Sequence, residues 1–230
     1  MALFNPNKIT LYSSRICPFA QRAVISMTEA RIDYEDVFVD LFNKPNWYSQ
    51  IHPQGLVPAV RMPGGKVLTE SQFIVYYAAD INEKLYPKSP VERYDTRQIM
   101  DYIDKKVMPN YYKIMIGPVE EVKSVREDMQ IRIKELNERL LEINPKGVFF
   151  HGNSLSIADI YLLPLIQRYY LGVRKHKLPE LDETGLERFV RWKKTTFELS
   201  SFKKSYDSED DIWTALSNLK KRLDAQKSSL

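Results

Sequence analysis

A cysteine followed directly by a proline, at Cys17 and Pro18, separates a strand pattern from a helix pattern near the start of the chain. The apolar run 9–12 precedes this pair, and apolar residues recur at intervals of three and four through 19–30. Proline is favoured at the first position of a helix, where its missing N–H costs nothing. The sequence therefore predicts a strand, a turn and a helix that begins at Pro18, with Cys17 at the helix N-terminus.

This position has consequences for the thiol of Cys17, the only cysteine in the chain. Free backbone N–H groups and the positive end of the helix dipole favour a thiolate over a thiol, and Arg15 lies two residues upstream. We therefore expect the pKa of Cys17 to lie well below that of a free thiol. The alternative is a buried structural cysteine, which is a common role for this residue.

The composition limits the classes of function. One cysteine in 230 residues excludes an intramolecular disulfide and indicates a reducing compartment. Neither the N-terminus nor the apolar run 157–166 has the length of a signal peptide core or a membrane span. The net charge of +4 is mild, no basic run is interleaved with aromatics, and the three histidines lack metal-ligand spacing. We expect a cytoplasmic protein with no metal site and neither nucleic acid nor a membrane as partner.

The first third of the chain alternates strand and helix signals. A β-rich segment follows the first helix at 34–39, and a short helical piece is expected at 44–51. Strands predicted at 55–60 and 67–68 are joined by a Gly-Gly turn, and an amphipathic helix opens at Ser71. This order favours a small mixed sheet with helices packed on it.

Two prolines close together, Pro87 and Pro90, break this pattern. Beyond them the spacing predicts helices at 91–115, 119–144, 157–170, 185–199 and 209–223. The last residues, 225–230, are expected to form a disordered tail. We therefore divide the chain into a domain at 1–86, a linker at 87–91 and an all-helical domain at 92–230.

Pro58 lies inside the strand predicted at 55–60, where it removes a donor from the ladder. It either marks an edge or a bulge, or belongs to a cis peptide bond, which is typical of tight turns. A cis bond would turn the backbone of Val57 toward its neighbour. If that neighbour is the Cys17 turn, Val57 would be able to pair with an extended ligand as an added strand.

Glu70 and Ser71 stand where a strand gives way to a helix. Ser71 at the N-cap would satisfy backbone N–H groups, which is a purely structural role. A hydroxyl beside free N–H groups is also suited to a carboxylate or a phosphate, and Glu70 would then pair with an amine. An amino-acid group carries both charges and would satisfy both residues. The alternative is that Glu70 is simply solvated.

Ser156 and Asp159 form the pattern of a capping box, with Leu155 and Ile160 as its hydrophobic staple. This pattern predicts the start of a helix and carries no chemistry of its own. Because the helix that follows is apolar on most sides, we expect it to be buried.

The segments 17–22, 43–47, 55–58 and 70–71 resemble, together with their spacing, the omega class of glutathione transferases. The plant lambda and dehydroascorbate-reductase classes share the Cys-Pro-Phe opening, and 156–159 resembles that family's capping box in the C-terminal domain. The resemblance implies a thioredoxin-like domain with a mixed four-stranded sheet, followed by an all-helical domain that carries the second-substrate pocket. It also implies a glutathione-dependent thiol transferase or reductase, with glutathione as cosubstrate.

The resemblance implies a role for each matching residue. Cys17 would form a mixed disulfide with glutathione, beside Phe19. The other implied glutathione contacts are Lys44 for the glycine carboxylate, Leu56, Val57 and cis-Pro58 for the tripeptide backbone, and Glu70 and Ser71 for the γ-glutamyl ammonium and carboxylate. Arg168 and Trp213 fall near positions that the family uses for the second substrate. Leu219 and Leu223 occupy a region where the family often has an aromatic residue.

Three functions remain open from the sequence. A dithiol redox motif would have its second cysteine at Ala20, so a second thiol must come from glutathione in solution. Substrates would be small-molecule or protein mixed disulfides, dehydroascorbate or glutathionyl ketones. The alternatives are conjugation of glutathione to electrophiles, with Tyr12, Ser13 or Ser14 as hydroxyl donor, and a non-enzymatic binding protein.

The helices that begin after Ser71 and at residue 91 have more apolar surface than a monomer needs. Members of the resembled family are mostly dimers, so the resemblance also implies a homodimer.

Overall fold

The computed structural model describes residues 5–227. Its first part is a four-stranded sheet of order β2-β1-β3-β4, whose strands are β1 (Ile9–Ser13), β2 (Tyr34–Phe38), β3 (Ala59–Arg61) and β4 (Val67–Thr69). β1 and β2 are parallel, whereas β3 is antiparallel to both β1 and β4. Two helices accompany the sheet, α1 (Pro18–Glu29) and α2 (Ser71–Ile81). The thioredoxin-like arrangement expected from the sequence is confirmed.

The central strand β1 is covered on both faces, because successive side chains of a strand point to opposite sides. Leu11 packs with Met27 of α1 and Ile74 of α2 on one face. Tyr12 packs with Tyr48 on the other face, against a 3₁₀ helix at Asn46–Gln50. Since a shift of one residue would exchange these faces, burial fixes the register of the strand that leads to Cys17.

The third strand is shorter than the sequence predicted. β3 begins at Ala59, so that Pro58 precedes the strand and does not interrupt its ladder. The Val57–Pro58 peptide bond is cis, which confirms the second interpretation of this proline. Residues 55–57 form the loop that approaches the Cys17 turn.

The remainder of the described chain is helical. Its helices are α3 (Pro90–Tyr102), α4 (Met108–Ile116), α5 (Val122–Ile143), α6 (Ile157–Lys175), α7 (Glu187–Phe197), α8 (Ser200–Lys203) and α9 (Glu209–Lys227). The short α8 was not predicted. The tail expected to be disordered is helical as far as Lys227, and 228–230 lie outside the described residues. Within 5–227, no helix combines the length and apolarity needed to cross a membrane.

The single helix predicted at 91–115 is divided in two. A π-helical segment, Ile103–Val107, separates α3 from α4. Pro109, at the start of α4, has no N–H to donate to the preceding turn. The ladder is therefore interrupted at this point, and widened turns of this kind occur as short insertions in α-helices.

Helix α6 is the centre of the molecule, with every residue from 157 to 173 buried. One continuous apolar cluster connects it to Ile25 of α1 and Val75 of α2. The sheet region and the helical region thus share a core. α3 begins inside the segment predicted as a linker, and the division at 1–86, 87–91 and 92–230 stays a prediction.

The capping box at the start of α6 is present, and it is more extensive than the sequence indicated. The fully buried Asp159 accepts hydrogen bonds from the N–H of Ser156 at 2.8 Å and from its hydroxyl at 2.6 Å. It also accepts from the N–H of Phe150 at 3.1 Å and the indole N–H of Trp192 at 2.8 Å. One carboxylate therefore joins the loop before α6 to α7.

We expect Asp159→Ala to lower the free energy of unfolding by about 3 to 5 kcal/mol, because it leaves several buried donors without an acceptor. Urea unfolding followed by circular dichroism measures the loss. Asp80→Ala, at an exposed position of α2, is the matched control and should change stability by less than about 0.5 kcal/mol. A loss no larger than that of the control would contradict a stabilising role for the network.

Candidate active site

A pocket of about 500 Å³ lies between the sheet region and the helical region. Cavities of this size accommodate small organic ligands. The pocket brings together residues from four separate segments of the sequence, namely Cys17, Phe19, Lys44, Leu56, Val57, Pro58, Glu70 and Ser71. They are the eight that the family resemblance assigned to the nucleophile and the glutathione contacts, and the fold of the sheet region collects them in one place.

Cys17 holds the N-cap position of α1, with Pro18 at the first turn, as predicted. Its N–H donates to the carbonyl of Ser14 at 3.1 Å, and its own carbonyl accepts from the N–H of Gln21 at 3.0 Å. The side chain is partly buried, and the sulfur lies 3.9 Å from the carbonyl oxygen of Val57. The thiol therefore sits between the start of α1 and the cis-proline loop.

The acidity of Cys17 differs from the expectation. Burial raises the pKa of the thiol, and this effect exceeds the opposing effects of the N–H groups of Ala20 and Phe19 and the cations Arg168 and Arg22. The predicted depression of the Cys17 pKa is therefore wrong for the protein without ligand. The sequence showed the helix N-terminus, but it did not show how much of the surrounding space other side chains fill.

The backbone of Val57 is available for pairing with a ligand. In the described part of the chain, no backbone group donates to its carbonyl, and its N–H donates to no backbone carbonyl. The loop at residues 55–57 is stabilised by Tyr48, whose hydroxyl donates to the carbonyl of Leu56 at 2.6 Å. Tyr48 in turn packs against Tyr12 and Trp47, with ring centroids 5.7 and 5.9 Å away. A braced loop whose Val57 N–H and C=O make no backbone hydrogen bonds, and whose carbonyl accepts only from the Cys17 thiol among the described contacts, suits an extended peptide ligand.

Glu70 and Ser71 differ in burial and in backbone conformation. Ser71 was expected to be the N-cap of α2, but it is the first helical residue, and Glu70 occupies the cap position. Glu70 has a φ of 66°, which is uncommon for a residue with a side chain. Ser71 is buried, whereas Glu70 is exposed and is the only carboxylate among the described residues that line the pocket. A positive φ at a residue with a side chain, as at Glu70, often occurs at functional sites.

Lys44 lies across Gly55 at the edge of the pocket. Gly55 has a φ of +65°, and a Cβ at this position would come within 3.4 Å of the Lys44 ammonium nitrogen. Glycine thus permits both the loop conformation and the path of the lysine. Lys44 is exposed, so its charge is free to meet an anionic group at the pocket mouth.

The opposite wall of the pocket was largely missed by the sequence analysis. It consists of aromatic and aliphatic side chains from α4, α9 and the loop after β2, namely Tyr111, Tyr112, Leu216, Leu219, Leu41 and Phe42. On α4 and α9 these residues follow the ordinary spacing of an amphipathic helix, so no local signal distinguishes them from core positions. Only Leu219 had been noted, from its place relative to the resembled family.

Two residues that the resemblance assigned to the second substrate, Arg168 and Trp213, do not line the pocket described above. Arg168 is fully buried and points to the turn before Cys17, where it donates to the carbonyl of Ile16 at 3.3 Å. Trp213 packs its ring against His176, with 5.1 Å between the ring centroids. Contact of either residue with a second substrate stays a prediction.

The hydroxyl groups considered for conjugation chemistry, those of Tyr12, Ser13 and Ser14, are also absent from the pocket wall. Tyr12 is fully buried, and the hydroxyl of Ser13 donates to Asp36 at 2.5 Å. Within residues 5–227, no group of three or more acidic, histidine or cysteine side chains is arranged to hold a metal ion.

Comparison with known proteins agrees with this geometry. Residues 16–81 match the family model described as "Glutathione S-transferase, N-terminal domain". Glutathione S-transferase omega-1 of Rattus norvegicus is 31% identical over 163 residues, which cover 70% of this chain and 67% of that protein. Pyrimidodiazepine synthase of Drosophila melanogaster is 32% identical over 190 residues, which cover 80% of this chain and 74% of that protein.

A solved structure extends the similarity over nearly the whole chain. Glutathione transferase Omega 1C from Trametes versicolor superposes with a TM-score of 0.74 at 28% identity, covering 93% of this chain and 96% of that one. The sheet region, the helical region and the order of their elements are therefore shared. On these similarities, the chain belongs to the glutathione S-transferase family, and omega-class proteins are among its relatives.

Proposed function

We propose that this protein is a glutathione-dependent thiol transferase in which Cys17 is the nucleophile. The observation that carries the proposal is the position of this single cysteine, at the start of α1 and on the wall of the pocket. A conjugating transferase would require a hydroxyl donor at this point, and the three hydroxyl candidates lie outside the pocket wall.

The charges around the pocket complement glutathione. Glu70 would pair with the γ-glutamyl ammonium, and Ser71 with the start of α2 would bind the adjacent carboxylate. The backbone N–H and C=O of Val57 would pair with the cysteinyl residue as an added strand, beside Pro58 and Leu56. Lys44 would meet the glycine carboxylate at the pocket mouth, and Phe19 would cover the side chain of Cys17.

The reaction would then proceed by two disulfide exchanges. The Cys17 thiolate, formed by loss of its proton to solvent, attacks the glutathionyl sulfur of a mixed disulfide. The substrate S–S bond breaks, a disulfide between Cys17 and glutathione forms, and the substrate leaves as a thiolate that takes up a proton. A second glutathione thiolate attacks the glutathionyl sulfur, which releases oxidised glutathione and regenerates Cys17. The net reaction converts one mixed disulfide and one glutathione thiol into the substrate thiol and oxidised glutathione, one half of which comes from the substrate.

The substrates of this proposal are glutathionylated proteins and small mixed disulfides. Dehydroascorbate has no disulfide, so its reduction would begin with addition of the Cys17 thiolate to a carbonyl carbon. One glutathione thiolate then attacks the Cys17 sulfur and ascorbate leaves, and a second glutathione releases oxidised glutathione and regenerates Cys17. A glutathionyl ketone would transfer its glutathionyl group to Cys17 and leave as an enolate that takes up a proton. A reducing compartment such as the cytoplasm would keep Cys17 and the glutathione pool in the thiol form.

We expect Cys17→Ser to abolish thiol transfer, because a hydroxyl cannot form the mixed disulfide. The assay is the reduction of a glutathione mixed disulfide coupled to glutathione reductase. Ser14→Ala, which removes a buried hydroxyl near the turn, is the control and should retain most of the activity.

Intact mass after incubation with oxidised glutathione gives an independent readout. The wild type should gain one glutathione, and Cys17→Ser should gain none. Near-normal thiol transfer in Cys17→Ser would contradict the proposal. New conjugation of electrophiles by this variant would support a conjugating transferase. Binding of glutathione by the wild type without any turnover would support a non-enzymatic binding protein.

Glutathione affinity should depend more on Glu70 and Ser71 than on Lys44. Ser71 is buried, and loss of a hydrogen bond from its hydroxyl to a charged carboxylate costs about 1.5 to 3 kcal/mol, which is tenfold or more in affinity. Glu70 is exposed, but it is the only carboxylate on the described pocket wall, so no neighbouring carboxylate can take its place. Lys44 is exposed, and an exposed pair contributes at most about 1 kcal/mol, or roughly fivefold.

Calorimetric titration of glutathione into the Cys17→Ser protein, with alanine at each of these positions, measures the difference without disulfide chemistry. Glu70→Gln retains the shape of the side chain and separates loss of charge from loss of contact. Weaker binding by the Lys44→Ala protein than by the Glu70→Ala protein would mean that the γ-glutamyl end is bound elsewhere.

We also propose that the protein forms a homodimer through α2 and α3. Phe73 and Ile81 on α2, and Val91 and Tyr94 on α3, are each more than half exposed. Large apolar side chains grouped in this way are typical of an interface, and an interface of standard size buries roughly 1,200–2,000 Å².

Light scattering at micromolar concentration should give about twice the chain mass of 27.0 kDa. Phe73→Glu combined with Tyr94→Glu should shift the protein toward the monomer, because like charges would meet at the interface. Lys123→Glu, which changes an exposed charge on α5, serves as the control. A wild-type mass of one chain would contradict the dimer.

A further inference from the structure

Two buried arginines stand beside Cys17. Arg22 lies on α1, five residues after the cysteine, and is 1% exposed. Arg168 lies on α6 and is 0% exposed. Guanidinium groups are seldom buried without a partner of opposite charge, because removal of a charge from water is costly.

The partners of Arg168 are all neutral. Its guanidinium donates to the side-chain oxygens of Gln21 and Gln167, and the second of these distances is 2.5 Å. It also donates to the carbonyls of Pro164 and Ile16, each at 3.3 Å. Its Nε has no acceptor within the described chain. Since Ile16 directly precedes Cys17, this arginine contacts the catalytic turn itself.

Arg22 is likewise without a charged partner at contact distance. Its Nε donates to the carbonyl of Tyr161 at 2.9 Å, and its Nη2 has no acceptor among the described residues. The guanidinium carbon lies 3.4 Å from the centroid of the Tyr161 ring and 5.2 Å from that of Phe19. The carboxylate of Asp104 is one side chain further away, since it accepts from the hydroxyl of Tyr161.

A buried cation with neutral partners is a position prepared for an anion. Burial lowers the pKa of both arginines, and Cys17 is among the groups that oppose this effect. The other titratable groups at the site are Tyr48, Tyr111, Tyr112, Lys44, His52 and Glu70. Asp104 and Tyr161 act on Arg22, Tyr206 and Glu209 act on Arg168, and Arg15 on the turn pairs with Asp36. The ionised sulfur of Cys17 is the anion for which both arginines are suitably placed.

We propose that Arg22 and Arg168 are positioning residues that act as two fixed counter-charges of the Cys17 thiolate. The inference rests on the proposed role of Cys17 as nucleophile, and it assigns Arg168 a task other than contact with the second substrate. Arg168 also holds the turn through Ile16, while Arg22 supports Phe19 at the pocket wall. Without these charges, the thiolate would form at higher pH and react more slowly at neutral pH.

The rate of iodoacetamide alkylation against pH tests this proposal in the absence of glutathione. Below the pKa the thiol is protonated and unreactive, and the rate rises as the pH passes the pKa. For the wild type we expect a midpoint above about 8.5, the value of a free thiol, because burial outweighs the opposing charges. Arg22→Met and Arg168→Met should each raise the midpoint by about one pH unit, which slows alkylation at pH 7 about tenfold.

The lysine variants separate charge from structure. Arg22→Lys and Arg168→Lys retain the charge but lose the planar hydrogen-bonding fork, so their midpoints should stay within about half a unit of the wild type. Arg15→Met removes a charge two residues from Cys17 that is paired with Asp36 and partly exposed, and it should shift the midpoint by less than about half a unit. Thermal melting checks that each variant is folded. If a methionine variant does not fold, the glutamine variant at the same position takes its place in the experiment.

Unchanged midpoints in folded, charge-free variants at both positions would overturn the proposal. Lysine variants that shift as far as the methionine variants would also overturn it, because the effect would then be structural. The two proposals fail separately. If the midpoints shift as expected but the wild type transfers no thiol, the counter-charge inference stands and the proposed function does not.

Discussion

The position of the Cys17 thiol depends on a hydrogen-bond network between α1 and α6. The side chain of Gln21 donates to the hydroxyl of Ser205 at 2.8 Å and accepts from Arg168, which also donates to the carbonyl of Ile16. One network thus joins the turn before Cys17 to the central helix and to the segment after α8. Since the side chains of Gln21, Arg168 and Ser205 are all buried, the network fixes the sheet region against the helical region more firmly than apolar contact alone would.

Features that depend on neighbouring residues could be predicted from the sequence. The N-cap position of Cys17 and the capping box at Ser156 and Asp159 depend on side chains within one helical turn, so local patterns identify them. The residues proposed to contact glutathione were identified because a known family has the same motifs at the same spacing. Their convergence on one wall then followed from the order of strands in the sheet.

Features that depend on distant residues could not be predicted in this way. The strand expected at 55–60 is shortened because pairing with β1 begins only at Ala59. The further hydrogen bond of Asp159 to Trp192 joins residues far apart in the chain, as does the contact of Arg168 with Ile16. The sign of the Cys17 pKa shift depends on how closely the fold encloses the thiol. Each outcome is decided by tertiary packing, for which a local pattern carries no signal.

The pocket combines residues from early and late parts of the chain, with Cys17 on one wall and Leu216 and Leu219 of α9 on the other. During synthesis on a ribosome, the sheet region emerges long before the helix that closes the pocket. A growing chain would therefore present its cysteine to the surrounding thiols while the apolar wall is still missing. Under the proposed function, selectivity toward substrates would be acquired only once α9 has packed, whereas the proposed nucleophile would be in place earlier.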